Sequence, residues 1–227
     1  MTADRLAYDQ AVAELRGVIT DWGGVMTNPI SHTVNAWLAA EGISRDSYVA
    51  VMKQWVHEAY TDGETGTNPI HALERGECTN DEFELALASE LLLEDGGPVA
   101  GPGLLTRMFA RSTLDEAMIR LFRRLHADGV PTGLLSNSWG GDYPTELFGE
   151  MFDAVVISSD VGMRKPEPRI FLHAAGLLGL DPQECIFIDD IQGNIAAAEQ
   201  LGFTGVLHDA ADGTAERVAE LLQVPLA

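Results

Sequence analysis

Positive charge is scarce in this sequence. Its 14 lysines and arginines stand against 35 aspartates and glutamates, a formal net charge of -21, and its only lysines are Lys53 and Lys165. Such an anionic surface repels phosphodiester backbones and acidic headgroups, which argues against nucleic acid and membrane partners. It also sets a condition for any phosphorylated small molecule: a local cluster of cations must hold it. Cysteine is nearly absent. Cys78 and Cys185 are too few for a disulfide framework and lack metal-ligand spacing, so reduced thiols are expected. No apolar run approaches the ~20 residues of a membrane helix. The stretch MTADRLAYDQAVAELR lacks the basic-then-apolar order of a secretory signal, so a cytoplasmic protein is expected. Internal repeats and low-complexity tracts are also missing.

What is present is ordered. The 227 residues are 46% hydrophobic, enough for one generous core or for a core with a smaller satellite domain. After Pro131, short apolar runs (TGLLS, AVVIS, CIFID, TGVLH) alternate with helix-length segments (PTELFGEMF, PRIFLHAAGLLG, NIAAAEQLG, TAERVAELL). That alternation predicts βαβ units and an α/β fold with a doubly wound parallel sheet. An earlier run, Val18 to Thr20, would join the sheet. Between them the pattern is helical: SHTVNAWLAAEG, SRDSYVAVMKQWVHEAY, NPIHALERG and NDEFELALASELLLE, with EDGGPVAGPG as an irregular exit. Residues 1–27 and 112–227 are therefore expected to form the core domain, and residues 28–111 an inserted helical cap. An amphipathic helix over residues 3–16 would cover the core or meet a partner subunit.

Four chemical pieces fall at or just after the ends of predicted strands: Asp21 in GVITDWGGVMT, Ser136 and Asn137 in LLSNS, Lys165 in VGMRKPEPRIF, and Asp189 with Asp190 in FIDDIQGN. In a parallel sheet such ends converge on one crevice. One acid, a hydroxyl with an amide, an ammonium and an acid pair suit phosphoryl transfer to a carboxylate. Asp21 would attack phosphorus. Asp21, Asp190 and the Gly23 carbonyl would hold Mg2+ by hard oxygen ligands. Lys165, with Arg164 beside it, would supply the local positive charge, and Ser136 and Asn137 would orient the phosphate oxygens.

These segments, DWGGV, LLSNS, VGMRKPEPRIF and FIDDIQGNIAAAEQLG, resemble in order the four motifs of the haloacid dehalogenase superfamily. SNSW, VGMRKPEP and DDIQGN resemble especially the branch that includes the phosphatase domain of soluble epoxide hydrolase. The resemblance implies an aspartate-nucleophile, Mg2+-dependent hydrolase with a helical cap, acting on a small phosphorylated substrate. It assigns Asp21 as nucleophile, Ser136 and Asn137 as phosphate ligands, Lys165 as the third-motif lysine and Asp190 as a metal ligand, with Asp189 as a supporting acid.

The chain departs from the family at Gly23, where phosphatases of the family usually carry an acid that protonates the leaving oxygen. A glycine keeps the carbonyl and loses the proton, a contribution typically worth ~100- to 10,000-fold. Either the cap supplies the proton, from His57, Asp62 or Glu64, or the substrate needs none. Phosphonoacetaldehyde hydrolase, which also has Trp after its nucleophile, suggests instead a Schiff base on Lys53. A protein that binds phosphate without turnover is the remaining alternative. Trp22 and Trp139 are expected to pack under the cap or to line the crevice. Asn194 would cap the helix NIAAAEQLG or steady the acid loop.

Overall fold

The computed structural model describes residues 14–61, 68–140 and 143–224. Five short strands, β1 (Gly17–Thr20), β2 (Thr132–Ser136), β3 (Ala154–Ile157), β4 (Cys185–Asp189) and β5 (Thr204–Leu207), pair in parallel in the order β3-β2-β1-β4-β5. β1, β2 and β4 are buried throughout because both sheet faces are covered, which is why they read as continuous apolar runs rather than as alternation. Val18, Leu134, Ile186, Ile188 and Val206 face one side, against α6 (Glu116–Ala127) and α10 (Ala211–Leu222). Ile19, Leu135, Val156 and Phe187 face the other, against α8 (Pro168–Leu177) and α9 (Gln192–Gln200).

The order reverses at β1, whose neighbours are β2 and β4. Thr20 lies opposite Leu134 on one side and Ile188 on the other. The register therefore brings the ends of β1, β2 and β4 level, at the point where doubly wound sheets open a crevice.

Between β1 and α6 the described residues form five helices: α1 (Ile30–Glu41), α2 (Arg45–Thr61), α3 (Pro69–Glu74), α4 (Asn80–Glu90) and α5 (Leu104–Phe109). They bury their own cluster, including Trp37, Trp55, Phe83, Leu87, Leu104 and Met108. The chain enters and leaves this segment side by side. Thr27 bridges Leu114, the Asn28 amide N–H donates to the Thr113 carbonyl at 2.9 Å, and the Thr113 N–H donates to Asn28 Oδ1 at 2.8 Å.

Several elements differ from expectation, each through a distant partner. α4 stops at Glu90, and Leu93 instead bridges Ile43 while the Ser44 N–H donates to the Leu92 carbonyl. α5 was hidden behind its Gly/Pro-rich lead-in. Its N-terminus is satisfied by the buried Glu84, whose carboxylate accepts from the Gly103 and Leu105 N–H groups at 2.6 and 2.9 Å. The helical reading of PTELFGEMF shrinks to a 3₁₀ turn, Thr145–Glu150, and α7 (Ser158–Val161) follows β3 directly. Most of the expected helix at 3–16 lies outside the described residues, and residues 14–16 are irregular, the Arg16 N–H donating to the Glu184 carbonyl at 2.8 Å. Among the described residues no helix is long and apolar enough to cross a membrane.

Phe187 sits at the centre of one face, fully buried and edge-on to Phe171 and Phe203 at 5.2 and 6.4 Å. Truncating it leaves a cavity that the sheet cannot collapse. Phe187→Ala is expected to lower the unfolding free energy by ~3–5 kcal/mol, measured by urea denaturation.

Candidate active site at the carboxyl edge of the sheet

Asp21 follows β1 directly. Its N–H donates to the Ile188 carbonyl at 2.8 Å, extending the ladder by one bond, and its side chain turns into the crevice. Oδ1 accepts from the Trp22 N–H at 2.7 Å and pairs with Lys165 Nζ at 2.9 Å. Lys165 is 1% exposed and reaches Asp189 Oδ2 at 2.7 Å as well. Asp189 is wholly buried, and the Ile191 N–H and the Asn194 amide also donate to it. Asn194 is therefore the third residue of α9, not its cap, and steadies the acid loop.

Burial disfavours the Asp21 carboxylate and Lys165 only partly offsets it, with Asp189 adding repulsion, so its pKa is pushed up to about 7. Burial alone would lower the Lys165 pKa, but the two carboxylates overcome it and raise it. Asp190, half-buried, is raised by burial and by Asp189. Three carboxylates thus share one ammonium. Asp21, Asp189 and Asp190 each offer an oxygen within 4.8 Å of the others, a donor set that fits a hard divalent cation. Gly24 makes the approach of Asp190 feasible: it has φ +79°, and a Cβ there would lie 2.2 Å from Asp190 Oδ2.

Ser136, at the end of β2, exchanges a hydrogen bond with the Tyr143 hydroxyl at 2.9 Å. Burial, with Asp21 nearby, raises the pKa of that phenol above its ordinary value. Asn137 reaches the same rim, but its side chain clamps the Lys165 backbone, accepting from the Lys165 N–H at 2.8 Å and donating to the Lys165 carbonyl at 3.0 Å. Its amide thus positions the lysine loop, which the expected phosphate contact did not anticipate. Asp21, Gly23, Ser136, Asn137, Lys165 and Asp190 all line one cavity of about 640 Å³. Asp189 lies behind them. The outer wall is largely apolar and comes from the helical segment: Ile30 and Val34 of α1, Tyr48 of α2, and Met108 and Phe109 of α5. Trp22 both lines the cavity and packs edge-on against Tyr143 and Phe148 at 5.9 and 5.6 Å.

Two expectations fail on geometry. Arg164 is not free to add charge, because it is paired with Glu74 of α3, which also accepts from Trp139 Nε1 at 3.1 Å. Lys53 is exposed on α2 and does not line the cavity, so it is no Schiff-base candidate. Asp62, Glu64 and the side chain of His57 lie outside what is described. Gly24, Glu74 and Tyr143 are the site residues that the sequence reading missed. Only the Gly23-Gly24 pair carried a signal. Glu74 and Tyr143 reach the cavity from segments with no motif.

The sequence matches the family model of haloacid dehalogenase-like hydrolase over residues 15–202. Among curated relatives, the bifunctional epoxide hydrolase 2 of Sus scrofa is 25% identical over 93% of this chain and 40% of its own length. The sesquiterpene phosphatase astK of Aspergillus oryzae is 30% identical over 59% of this chain and 68% of its own length. The chain spans less than half the length of the first curated relatives it matches. A haloacid dehalogenase family enzyme of Bacteroides thetaiotaomicron, solved in complex with magnesium and inorganic phosphate, shares the fold with a TM-score of 0.58 and 21% identity, covering 86% of this chain and 95% of that one.

The raised pKa of Asp21 has a signed consequence. Its folded value, about 7, exceeds the ordinary 3.8, so the stability it contributes is present below the ordinary value and lost as pH rises through about 7. A divalent cation held by these carboxylates would take the place of the proton. The rise in Tm on replacing EDTA with Mg2+ is therefore expected to be larger near ~pH 8 than near ~pH 5 by thermal melts; an equal rise at both would contradict a cation held by these carboxylates.

Proposed function

The chain belongs to the haloacid dehalogenase-like hydrolases, and from that premise we propose that it is a Mg2+-dependent phosphomonoesterase working through an aspartyl-phosphate at Asp21. The observation that carries the reading is the buried Asp21 carboxylate, held by Lys165 and open to a cavity that Ser136, Asn137 and Asp190 also line. Both hydrogen bonds described for Asp21 fall on Oδ1, which leaves Oδ2 for attack on phosphorus. Lys165 partly offsets the burial that disfavours the Asp21 carboxylate, and it offsets the charge of the transferring oxygens. Asp189, saturated by Lys165, Asn194 and the Ile191 N–H, orients that lysine. Ser136 donates to a phosphate oxygen, and Asn137 serves the same end by fixing the Lys165 backbone. Asp21, Asp190 and the Gly23 carbonyl would hold Mg2+, which when bound blunts the repulsion between carboxylate and phosphate.

In this reading residues 28–111 form a cap, and residues 1–27 and 112–227 the catalytic core. The cap supplies the apolar wall, so the substrate is a small phosphate monoester with a bulky apolar body. Ile30, Val34, Met108 and Phe109 give no partner to a polar group laid against them, and its desolvation there would go uncompensated. The match to a sesquiterpene phosphatase supports the same class. The absence of an acid at Gly23 means that protonation of the leaving oxygen falls to another group.

The test is hydrolysis of p-nitrophenyl phosphate with Mg2+ and with EDTA, in wild type and Asp21→Asn. Turnover is expected to stop on chelation and to return with Mg2+. Asp21→Asn, which keeps shape and removes the nucleophile, is expected to reduce kcat by more than about 1,000-fold. A wild-type rate in Asp21→Asn would overturn the assignment. Phosphate binding without turnover in wild type would place the chain among non-catalytic members.

A further inference from the structure

Resting on the phosphatase reading, we infer that the Tyr143 hydroxyl is the acid that protonates the leaving oxygen, the post left vacant at position 23. That vacancy is structural as well as chemical. A Cβ on Gly23 would stand 3.1 Å from Ile30 Cδ1, so a side chain there would have to push aside the tip of Ile30 on α1.

Tyr143, in the segment after β2, meets the requirements. It lines the cavity with Asp21 and Lys165, and its hydroxyl lies 2.9 Å from Ser136 Oγ, beside the place where a phosphate oxygen is held. Its ring is fixed by Trp22 at 5.9 Å and Phe148 at 6.2 Å, which holds the hydroxyl in one position. Burial keeps the phenol protonated at neutral pH. The other titratable groups described in the cavity are committed elsewhere. Glu74 is paired with Arg164 and Trp139. Lys165 lies between Asp21 and Asp189, and Asp190 sits over Gly24 with the other carboxylates. Tyr48 stands on α2 against Trp37, with no contact to Ser136 among the described residues.

The step balances. As the Asp21 oxygen–phosphorus bond forms and the phosphorus–oxygen bond to the leaving group breaks, the Tyr143 proton passes to the departing alkoxide, which leaves as an alcohol. Water then attacks the aspartyl-phosphate, and its proton returns to the phenolate as phosphate and the Asp21 carboxylate are released.

The experiment compares wild type and Tyr143→Phe, with Mg2+, on p-nitrophenyl phosphate, whose leaving group needs little protonation, and on hexyl phosphate, whose alkoxide does. Phe preserves the ring contacts and removes only the hydroxyl. Wild type is expected to cleave both esters, and Tyr143→Phe to lose about 100-fold in kcat on the hexyl ester. The hexyl-to-aryl ratio of kcat should fall by at least about 30-fold. Equal losses on both esters, an unaltered ratio, or a wild type that cleaves the aryl ester alone would overturn Tyr143 as the acid while leaving Asp21 as nucleophile intact. A wild type that cleaves neither ester would count against the phosphatase reading itself, and the inference would fall with it. If Phe impairs folding, 3,5-difluorotyrosine at 143 keeps both ring and hydroxyl while acidifying the phenol. A changed ratio then supports the assignment and an unchanged one overturns it.

Discussion

One buried ammonium holds this site together. Lys165 is all but inaccessible to solvent and bridges two carboxylates from different strand ends, Asp21 and Asp189. Removing a partner from such a group is costly, typically ~3–5 kcal/mol, because the remaining charge stays buried and unpaired. The loop that carries Lys165 is secured accordingly: Asn137 grips its backbone by two hydrogen bonds, and Asn194 fixes the far carboxylate. Asn137 just after β2, Asp189 at the end of β4 and Asn194 of α9 thus converge on the placement of one nitrogen.

The same arrangement leaves the site short of positive charge. Three carboxylates cluster here with one lysine that pairs with two of them, and Arg164, its neighbour in the chain, is occupied by Glu74. On a protein with a net charge of -21, neither the wider field nor a second local cation attracts an anionic substrate. That deficit is the physical reason for proposing a divalent ion here. Glycine at position 24 lets the Asp190 carboxylate approach the loop after β1 more closely than any side chain would permit.

Polar and apolar requirements divide between two parts of the chain. The strand ends supply the charged floor, while α1, α2 and α5 supply an apolar wall. α3 ties the helical segment to the core through Glu74, Arg164 and Trp139, and through Arg75 with Glu167 at 3.3 Å. The Glu74 contacts adjoin Lys165 along the chain, so the position of the wall and that of the lysine loop are mechanically linked. A substrate that fills the apolar space would bear on the residues next to the chemistry.

Local pattern determined most of the architecture. Each strand is a largely apolar run of four or five residues, β1, β2 and β4 end at or just before a chemically marked position, and the order of those runs specified a parallel sheet and its crevice. Asp21, Ser136 and the Asp189-Asp190 pair were legible because each sits at or just after a strand end, and Lys165 because it lies in the loop that follows β3 and α7. Tertiary structure alone decided what depends on partners far apart in the chain: that α4 yields to a bridge with Ile43, that Glu84 caps α5, and that Arg164 is consumed by Glu74. It also decided that Asn137 faces a backbone, that Lys53 points to solvent, and that Tyr143 closes on Ser136. Short-range periodicity reports which face a residue presents, whereas a hydrogen bond or ion pair between distant segments leaves no spacing in the sequence.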